Sequence, residues 1–316
     1  MKNFTSVNDV PDLRALIRET LELKHNPLKI NSLGKNKTLG LFFFNPSLRT
    51  RLSTQKAAQN LGMNAIVMNA GQGWELEFES GVEMRADKPE HIKEAAAVMS
   101  RYFDIIGVRS FPSFQDRDRD YSDFVLSKFL EYATVPVLSL ESAIRHPLQS
   151  LTDLATIEAH KKKTRPKIVL TWAPHPKVLP QAVANSFAEW IGAAGYDLTI
   201  THPEGFELAP EFAGNAKIEY DQNKAFENAD FVYAKNWSAF NDYGKTTFRH
   251  DGWMVTPEKM ARTNDAFFMH CLPVRRNVVV ADAVLDSPRS LIIEQAGNRT
   301  FAAQAVLARL LKAMPG

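Results

Sequence analysis

The stretch Thr38–Leu61 reads TLGLFFFNPSLRTRLSTQKAAQNL, and its reading decides the fold. An apolar run, Leu39 to Phe44, lies between Lys37 and Asn45-Pro46. Its length and aromatic content favour a buried strand over a helix. Ser47-Leu48-Arg49-Thr50-Arg51 follows, then Leu52, Gln55, Ala58, Gln59 and Gly62, which suit an amphipathic helix closed by Gly62. A strand thus runs into a helix whose first turn carries two hydroxyls and two guanidinium groups. Free backbone N–H groups and the positive end of the helix dipole point to the same place. Such a helix start suits an anion, phosphate above all. The same residues also read as an ordinary helix start, capped by Ser47 and flanked by two solvated arginines.

A chain of 316 residues exceeds one typical core, so two domains are expected. The net charge of +2 argues against nucleic acid or a membrane surface as the main partner. No apolar run approaches the roughly 20 residues needed to cross a bilayer. The start, Met1-Lys2-Asn3-Phe4-Thr5, lacks the apolar core of a signal peptide. The single cysteine, Cys271, excludes an intrachain disulfide. The expectation is a cytoplasmic enzyme. Lys161-Lys162-Lys163 reads as a solvated helix end.

Helical spacing over Val10–Leu23 precedes the opening strand and helix, and Asn64–Met68 reads as a second strand. Ala70–Lys88, broken by Gly71, Gly73 and Gly81 and containing Trp74, reads as a long functional loop. A helix over Pro89–Tyr102 follows, with Pro89 in its first turn. Next come strand Asp104–Arg109, helix Ser122–Tyr132 and strand Val135–Leu140. After a link over Glu141–Gln149 and a helix over Leu151–His160, the alternation restarts at Lys167 and runs to a last helix, Glu294–Met314. This pattern predicts an α/β protein with mainly parallel, doubly wound sheets. No G-x-G-x-x-G and no G-K-[ST] appears, so the fold is Rossmann-like without a dinucleotide or Walker signal.

In open α/β sheets, ligands sit beyond the carboxyl ends of the strands. That edge is predicted to carry Ser47–Arg51, Arg109, Glu141, His146-Pro147-Leu148-Gln149, His175, Lys235 and His270-Cys271-Leu272-Pro273-Val274-Arg275-Arg276, with Asn298-Arg299 at the last helix start. Each has a plainer structural reading. His146 could end a loop, and Cys271 could be a small buried hydrophobe. His175 could be a turn residue, Trp74 an anchor of its own loop, and Lys235 a solvated strand end. Arg275-Arg276 could be one ion pair and one surface charge.

Ser47-x-Arg49-Thr50-Arg51, His146-Pro147-x-Gln149 and His270-Cys271-Leu272-Pro273, in this order, resemble the signature of the aspartate/ornithine transcarbamylase family. The resemblance spans nearly the whole chain and implies the transcarbamylase fold. Residues 1–145 would form a carbamoyl-phosphate-binding domain and 146–293 an acceptor domain, with the last helix, 294–316, packing back on the first. By resemblance, Ser47, Leu48, Arg49 and Thr50 cradle the phosphate. Arg109 and His146 bind the carbamoyl oxygen and phosphate, Gln149 lies near the carbamoyl amide, and the Cys271 and Leu272 carbonyls with Arg299 complete the site. Arg109, His146, Gln149 and Arg299 are the expected catalytic set. Trp74 resembles the residue such enzymes insert into a neighbouring subunit's site, which implies a homotrimer. No metal and no cofactor is expected. The resemblance also implies a knot, framed by the Pro-rich loop near His175 and the loop after Lys235.

The acceptor is read from the second half. The Ser-Met-Gly loop of ordinary ornithine transcarbamylases is missing, and His175, Lys177, Lys235 and Arg275 stand in its place. A cationic pocket suits an N-acylated ornithine whose acyl group bears a carboxylate. Trp74 in Gly-x-Gly-Trp-Glu-Leu-Glu and the Pro-rich turn after Trp172 resemble the acylornithine branch, where Glu141 would orient the substrate. In that branch, acetyl enzymes carry Glu and succinyl enzymes carry Pro near the helix at Pro89. Acetyl enzymes also carry a lysine just after the two arginines, where this chain has Asn277-Val278-Val279-Val280. The resemblance therefore implies transfer of a carbamoyl group from carbamoyl phosphate to N-succinyl-L-ornithine in arginine biosynthesis. The alternatives are N-acetyl-L-ornithine and, behind it, free ornithine.

Overall fold

A computed structural model describes residues 1–70, 74–85, 87–245 and 251–314. The chain divides into two units. One is Met1–Leu148 with Arg299–Gly316, the other Gln149–Asn298.

In the first unit, α1 (Leu13–His25), β1 (Thr38–Phe43), α2 (Arg49–Asn60) and β2 (Asn64–Asn69) come first. Then follow β3 (Leu76–Glu77), β4 (Glu90–His91), α3 (Ile92–Tyr102), β5 (Ile105–Arg109), α4 (Arg117–Tyr121), α5 (Phe124–Tyr132) and β6 (Val137–Glu141). The main sheet is parallel in the order β2-β1-β5-β6. β5 and β6 are buried along their whole length and β1 from Leu39 onward, as their continuous apolar runs require. Phe42, Phe103 and Phe129 pack ring against ring and seat α3 and α5 on one face. Chain order reverses between β1 and β5, so the loops after Phe43 and Arg109 part at the carboxyl edge, where such sheets bind ligands.

The second unit repeats the plan. After α6 (Pro147–His160) come β7 (Lys167–Trp172), α7 (Ala182–Ala193), β8 (Asp197–Thr201), α8 (Pro210–Ala213), β9 (Lys217–Glu219) and α9 (Gln222–Phe226). They are followed by β10 (Phe231–Lys235), α10 (Pro257–Met260), β11 (Phe267–Met269) and α11 (Asp282–Leu285), and then by α12 (Ile292–Ala313), which belongs to the first unit from Arg299 onward. The sheet order is β11-β10-β7-β8-β9, again all parallel. Order reverses between β7 and β10. The His175 loop and the segment after Lys235 therefore leave neighbouring strand ends.

Several local expectations give way to specific contacts. Ser47 does not cap α2. The cap is Leu48, and no side chain bonds to it. Pro89 lies outside a helix. Glu90–His91 pairs with Leu76–Glu77 instead, and the His91 side chain caps α3 by accepting from Lys93 N at 3.1 Å. The helix expected over Ser122–Tyr132 starts two residues later, at Phe124, because Asp123 before it adopts φ 53°. α6 starts at Pro147, four residues early, because proline suits the first helical position. Gly71 and Gly73 lie outside the described residues, and the loop after Lys235 passes through residues 246–250, which also do.

Candidate active site

At the switch point of the first unit, Arg109 ends β5 and is 7% exposed. Its Nε and Nη2 donate to Glu141 Oε2 at 3.1 and 2.9 Å. Its Nη1 donates to the carbonyls of Asn45, at 3.2 Å, and Pro46. Asn45 Oδ1 in turn accepts from Phe111 N at 2.6 Å, so the loops after β1 and β5 are stitched together. Four of the five guanidinium N–H groups are thus committed, and one on Nη2 remains. His146 Nε2 lies 3.7 Å from the same Glu141 oxygen, and its side chain is 4% exposed. One buried carboxylate therefore orients a guanidinium and an imidazole. A charge removed from water is tolerated only when paired in this way.

The start of α2 stands on the same edge. Thr50 is buried, and its Oγ1 accepts from Arg299 Nη2 at 2.6 Å. Ser47 and Arg49 are half-buried, while Leu48 is exposed. Arg51 donates to Asn69 Oδ1 and lies over the Phe43 ring at 4.7 Å, so its charge is held toward β2. The first turn of α2 holds no acidic residue and no side-chain cap, so its dipole end suits an anion. Trp74 is exposed and donates from Nε1 to Glu90 at 2.6 Å, one residue beyond the exposed Pro89.

In the second unit, Gln149 and Asp153 occupy one face of α6 and bond at 2.8 Å. Asp153 Oδ1 also accepts from Gln295 Nε2 at 2.6 Å, and Gln295 Oε1 accepts from His270 N at 3.0 Å. His270 Nδ1 accepts from Leu272 N at 2.9 Å. The His-Cys-Leu-Pro segment is therefore fixed to α6 through a buried carboxylate. Within it, Cys271 is buried, Leu272 has φ 57° and the Leu272–Pro273 bond is cis. Asp153 and Gln295 escape a motif search. The i, i+4 spacing of Gln149 and Asp153 on a helix is the one local signal.

His175 and Lys235 leave the adjacent ends of β7 and β10. Ala173 O accepts from Asn236 Nδ2 at 2.7 Å and Trp172 Nε1 donates to Trp237 O at 3.0 Å, which locks the two segments together. Arg275 Nε donates to His175 Nε2 at 3.1 Å. Burial first, then the nearby Lys235, Arg275 and Lys177 charges, lowers the His175 pKa. Its imidazole is therefore held neutral, with Nε2 as acceptor. Arg276, by contrast, is tied to Asp282 and Asp286 at 2.8 and 2.7 Å. Glu141, expected to orient the acceptor, lies in the first unit, with its Oε2 accepting from Arg109 and 3.7 Å from His146 Nε2. Among the described residues, no group of three or more His, Cys, Asp or Glu could hold a metal ion.

Two family models match the chain. One is the aspartate/ornithine carbamoyltransferase carbamoyl-P binding domain, over residues 2–159, and the other the Asp/Orn binding domain, over residues 180–310. The chain is 58% identical to the N-succinylornithine carbamoyltransferase of Bacteroides thetaiotaomicron, covering 99% of this chain and 100% of that protein. It is 38% identical to the N-acetylornithine carbamoyltransferase of Xylella fastidiosa, covering 98% of each. Among solved structures, it is similar to an N-acetyl-L-ornithine transcarbamylase variant complexed with carbamyl phosphate and N-succinyl-L-norvaline. That likeness has a TM-score of 0.92 at 38% identity, over 98% of this chain and 100% of that one.

Two expectations follow from this geometry. Arg109→Met would leave Glu141 buried without its guanidinium, and denaturant unfolding should show a loss of about 3–5 kcal/mol. Adding Glu141→Gln should restore most of that loss, and a double variant no better than the single one contradicts the shared-carboxylate account. Second, His175 should titrate below the ordinary imidazole value of about 6.5. The unfolded chain then binds more protons in that window, so this contribution to stability is complete above about 6.5 and lost as pH falls through the folded value. NMR of the histidine rings checks this, and a His175 pKa at or above the ordinary value contradicts it.

Proposed function

Because the chain belongs to the aspartate/ornithine carbamoyltransferase family, we propose that it transfers the carbamoyl group of carbamoyl phosphate to N-succinyl-L-ornithine. The products are N-succinyl-L-citrulline and phosphate, at the citrulline-forming step of arginine biosynthesis. The observation that carries the acceptor assignment is the cationic group at the second switch point, where Arg275 Nε meets a neutral His175 beside Lys235. Such a pocket complements a succinyl carboxylate, and Arg275 can bind it with planar, directional donors. The 58% identity to an N-succinylornithine enzyme, against 38% to an N-acetylornithine enzyme, supports the same choice. Pro89 supports it by offering no charge to repel a succinyl tail.

In this reaction the neutral side-chain amine attacks the carbamoyl carbon. The C–N bond forms, the C–O bond to phosphate breaks, and the amine proton passes to the departing phosphate. Negative charge grows on the carbamoyl oxygen and on the leaving group. Arg109 and His146, pre-oriented by Glu141, face that charge, while Ser47, Leu48, Arg49, Thr50 and Arg299 hold the phosphate. Gln149 with the Cys271 and Leu272 carbonyls takes the carbamoyl amide. Donors already in place cost no reorganisation and act most strongly in the transition state. Losing one typically costs about 3–4 kcal/mol in barrier.

The assembly we propose is a homotrimer in which Trp74 enters a neighbouring subunit's site. Edge strand β2 exposes Ile66 and Met68, and α2 exposes Leu48 and Leu52. Exposed apolar groups that form one contiguous patch mark a partner surface. No helix among the described residues is long and apolar enough to cross a membrane, in keeping with a cytoplasmic enzyme.

Steady-state assays with carbamoyl phosphate should rank N-succinyl-L-ornithine first, N-acetyl-L-ornithine next and free ornithine last in kcat/KM. Preference for free ornithine contradicts the branch assignment. Sedimentation equilibrium should return three times the chain mass, and a stable monomer at full activity contradicts the role given to Trp74.

A further inference from the structure

Between α4 and α5 the chain breaks at Ser122-Asp123, and two carboxylates flank the break. Asp120 is buried. Its Oδ1 accepts from Ser113 N at 2.9 Å, and its Oδ2 accepts from Phe114 N at 2.9 Å and Ser113 Oγ at 3.2 Å. Those partners lie on the loop that leaves Arg109. Asp123 accepts from Ser142 Oγ at 2.7 Å and from Ala143 N at 3.0 Å. Those partners lie in the four-residue turn between Glu141 and His146. The turn has bonds of its own, Ser142 N to Arg145 O at 2.7 Å and Arg145 N to Ser142 Oγ at 3.1 Å, so Asp123 grips it at its first corner. We propose that Asp120 and Asp123 are positioning residues, a double carboxylate clasp that sets Arg109, Glu141 and His146 in register for carbamoyl phosphate. The proposal rests on the donor-site reading above.

Three observations favour a clasp over incidental loop bonding. Asp123 holds φ 53°, a left-handed conformation that few non-glycine residues adopt, and this turns α5 away from α4. Burial pushes its carboxyl up to about 6, against the Ser142 hydrogen bond and the Arg145 charge. An ionised group is therefore kept at neutral pH in a place that disfavours it. Finally, a cavity of about 200 Å³ is lined by both carboxylates with Ser110, Phe111, Ser113 and Ala143. Both carboxylates thus face one hollow beside the two loops.

The two sites differ in one testable respect. Both oxygens of Asp120 accept from backbone N–H groups, so Asp120→Asn would aim an amide N–H at another N–H. Asp123 meets the Ser142 hydroxyl at Oδ2 besides backbone N–H groups of Ala143 and Ile144, and a hydroxyl can turn round to accept from Asp123→Asn. Each variant is assayed with carbamoyl phosphate and N-succinyl-L-ornithine, with calorimetry for carbamoyl phosphate alone. We expect Asp123→Ala and Asp120→Asn to raise the carbamoyl-phosphate KM at least tenfold, with the acceptor KM within twofold. Asp123→Asn should stay within about threefold of the wild type in all constants. Equal effects of the two Asn substitutions, or parallel shifts in both KM values, overturn the clasp. If Asp123→Ala yields no folded protein, the contrast between the two Asn variants decides alone. If the wild type binds no carbamoyl phosphate, the donor-site reading fails. The clasp is then read from amide exchange at Phe114 and Ala143, which should quicken in Asp120→Asn and Asp123→Ala respectively. Unchanged exchange overturns it.

Discussion

Glu141 Oε2 holds the Arg109 guanidinium at 2.9 Å and lies 3.7 Å from His146 Nε2, all three side chains being buried. The cost of stripping water from Arg109 and Glu141 is offset only while the two stay together. That constraint reaches backward into the fold. β5 and β6 must be neighbours for Arg109 and Glu141 to meet, and the Asn45–Pro46 carbonyls must face the same guanidinium. Chain reversal between β1 and β5 satisfies both demands. The proposed donor site thus follows from where a doubly wound sheet changes direction.

The second unit meets a parallel demand with different residues. Asp153 ties α6 to Gln295, and Gln295 ties the His-Cys-Leu-Pro segment, so two motifs far apart in the chain are joined through one carboxylate. At its own switch point, Asn236 and Trp172 bind the His175 and Lys235 segments into one edge. Positive charge gathers there, with Arg275 donating to His175 and the Lys235 charge nearby. A pocket so charged discriminates by what it attracts and also by what it cannot neutralise.

Much of this was legible from residue order. The aromatic run Leu39–Phe44 and the Ser-x-Arg-Thr-Arg turn announce a strand feeding a helix, and the repeated alternation announces two parallel sheets. Pairings between distant residues were not legible. Arg109 and Glu141 lie 32 residues apart, and Asp153 and Gln295 lie 142 apart, so no period or local spacing connects them. Local propensity also misled where tertiary contacts won. Pro89 looks like a helix start, but Glu90 and His91 are claimed by Leu76 and Glu77. The helix read over Ser122–Tyr132 starts only at Phe124, because Asp123 is pulled toward Ser142 and Ala143.

The central claim is that one carboxylate presents Arg109 and His146 to a single carbamoyl phosphate. A crystal structure with carbamoyl phosphate bound tests it most directly. The account predicts phosphate density at the start of α2 beside Thr50, with the carbamoyl oxygen within hydrogen-bond reach of Arg109 and His146 and both still in contact with Glu141. Density elsewhere, or Arg109 swung away from Glu141 to meet it, would contradict the account.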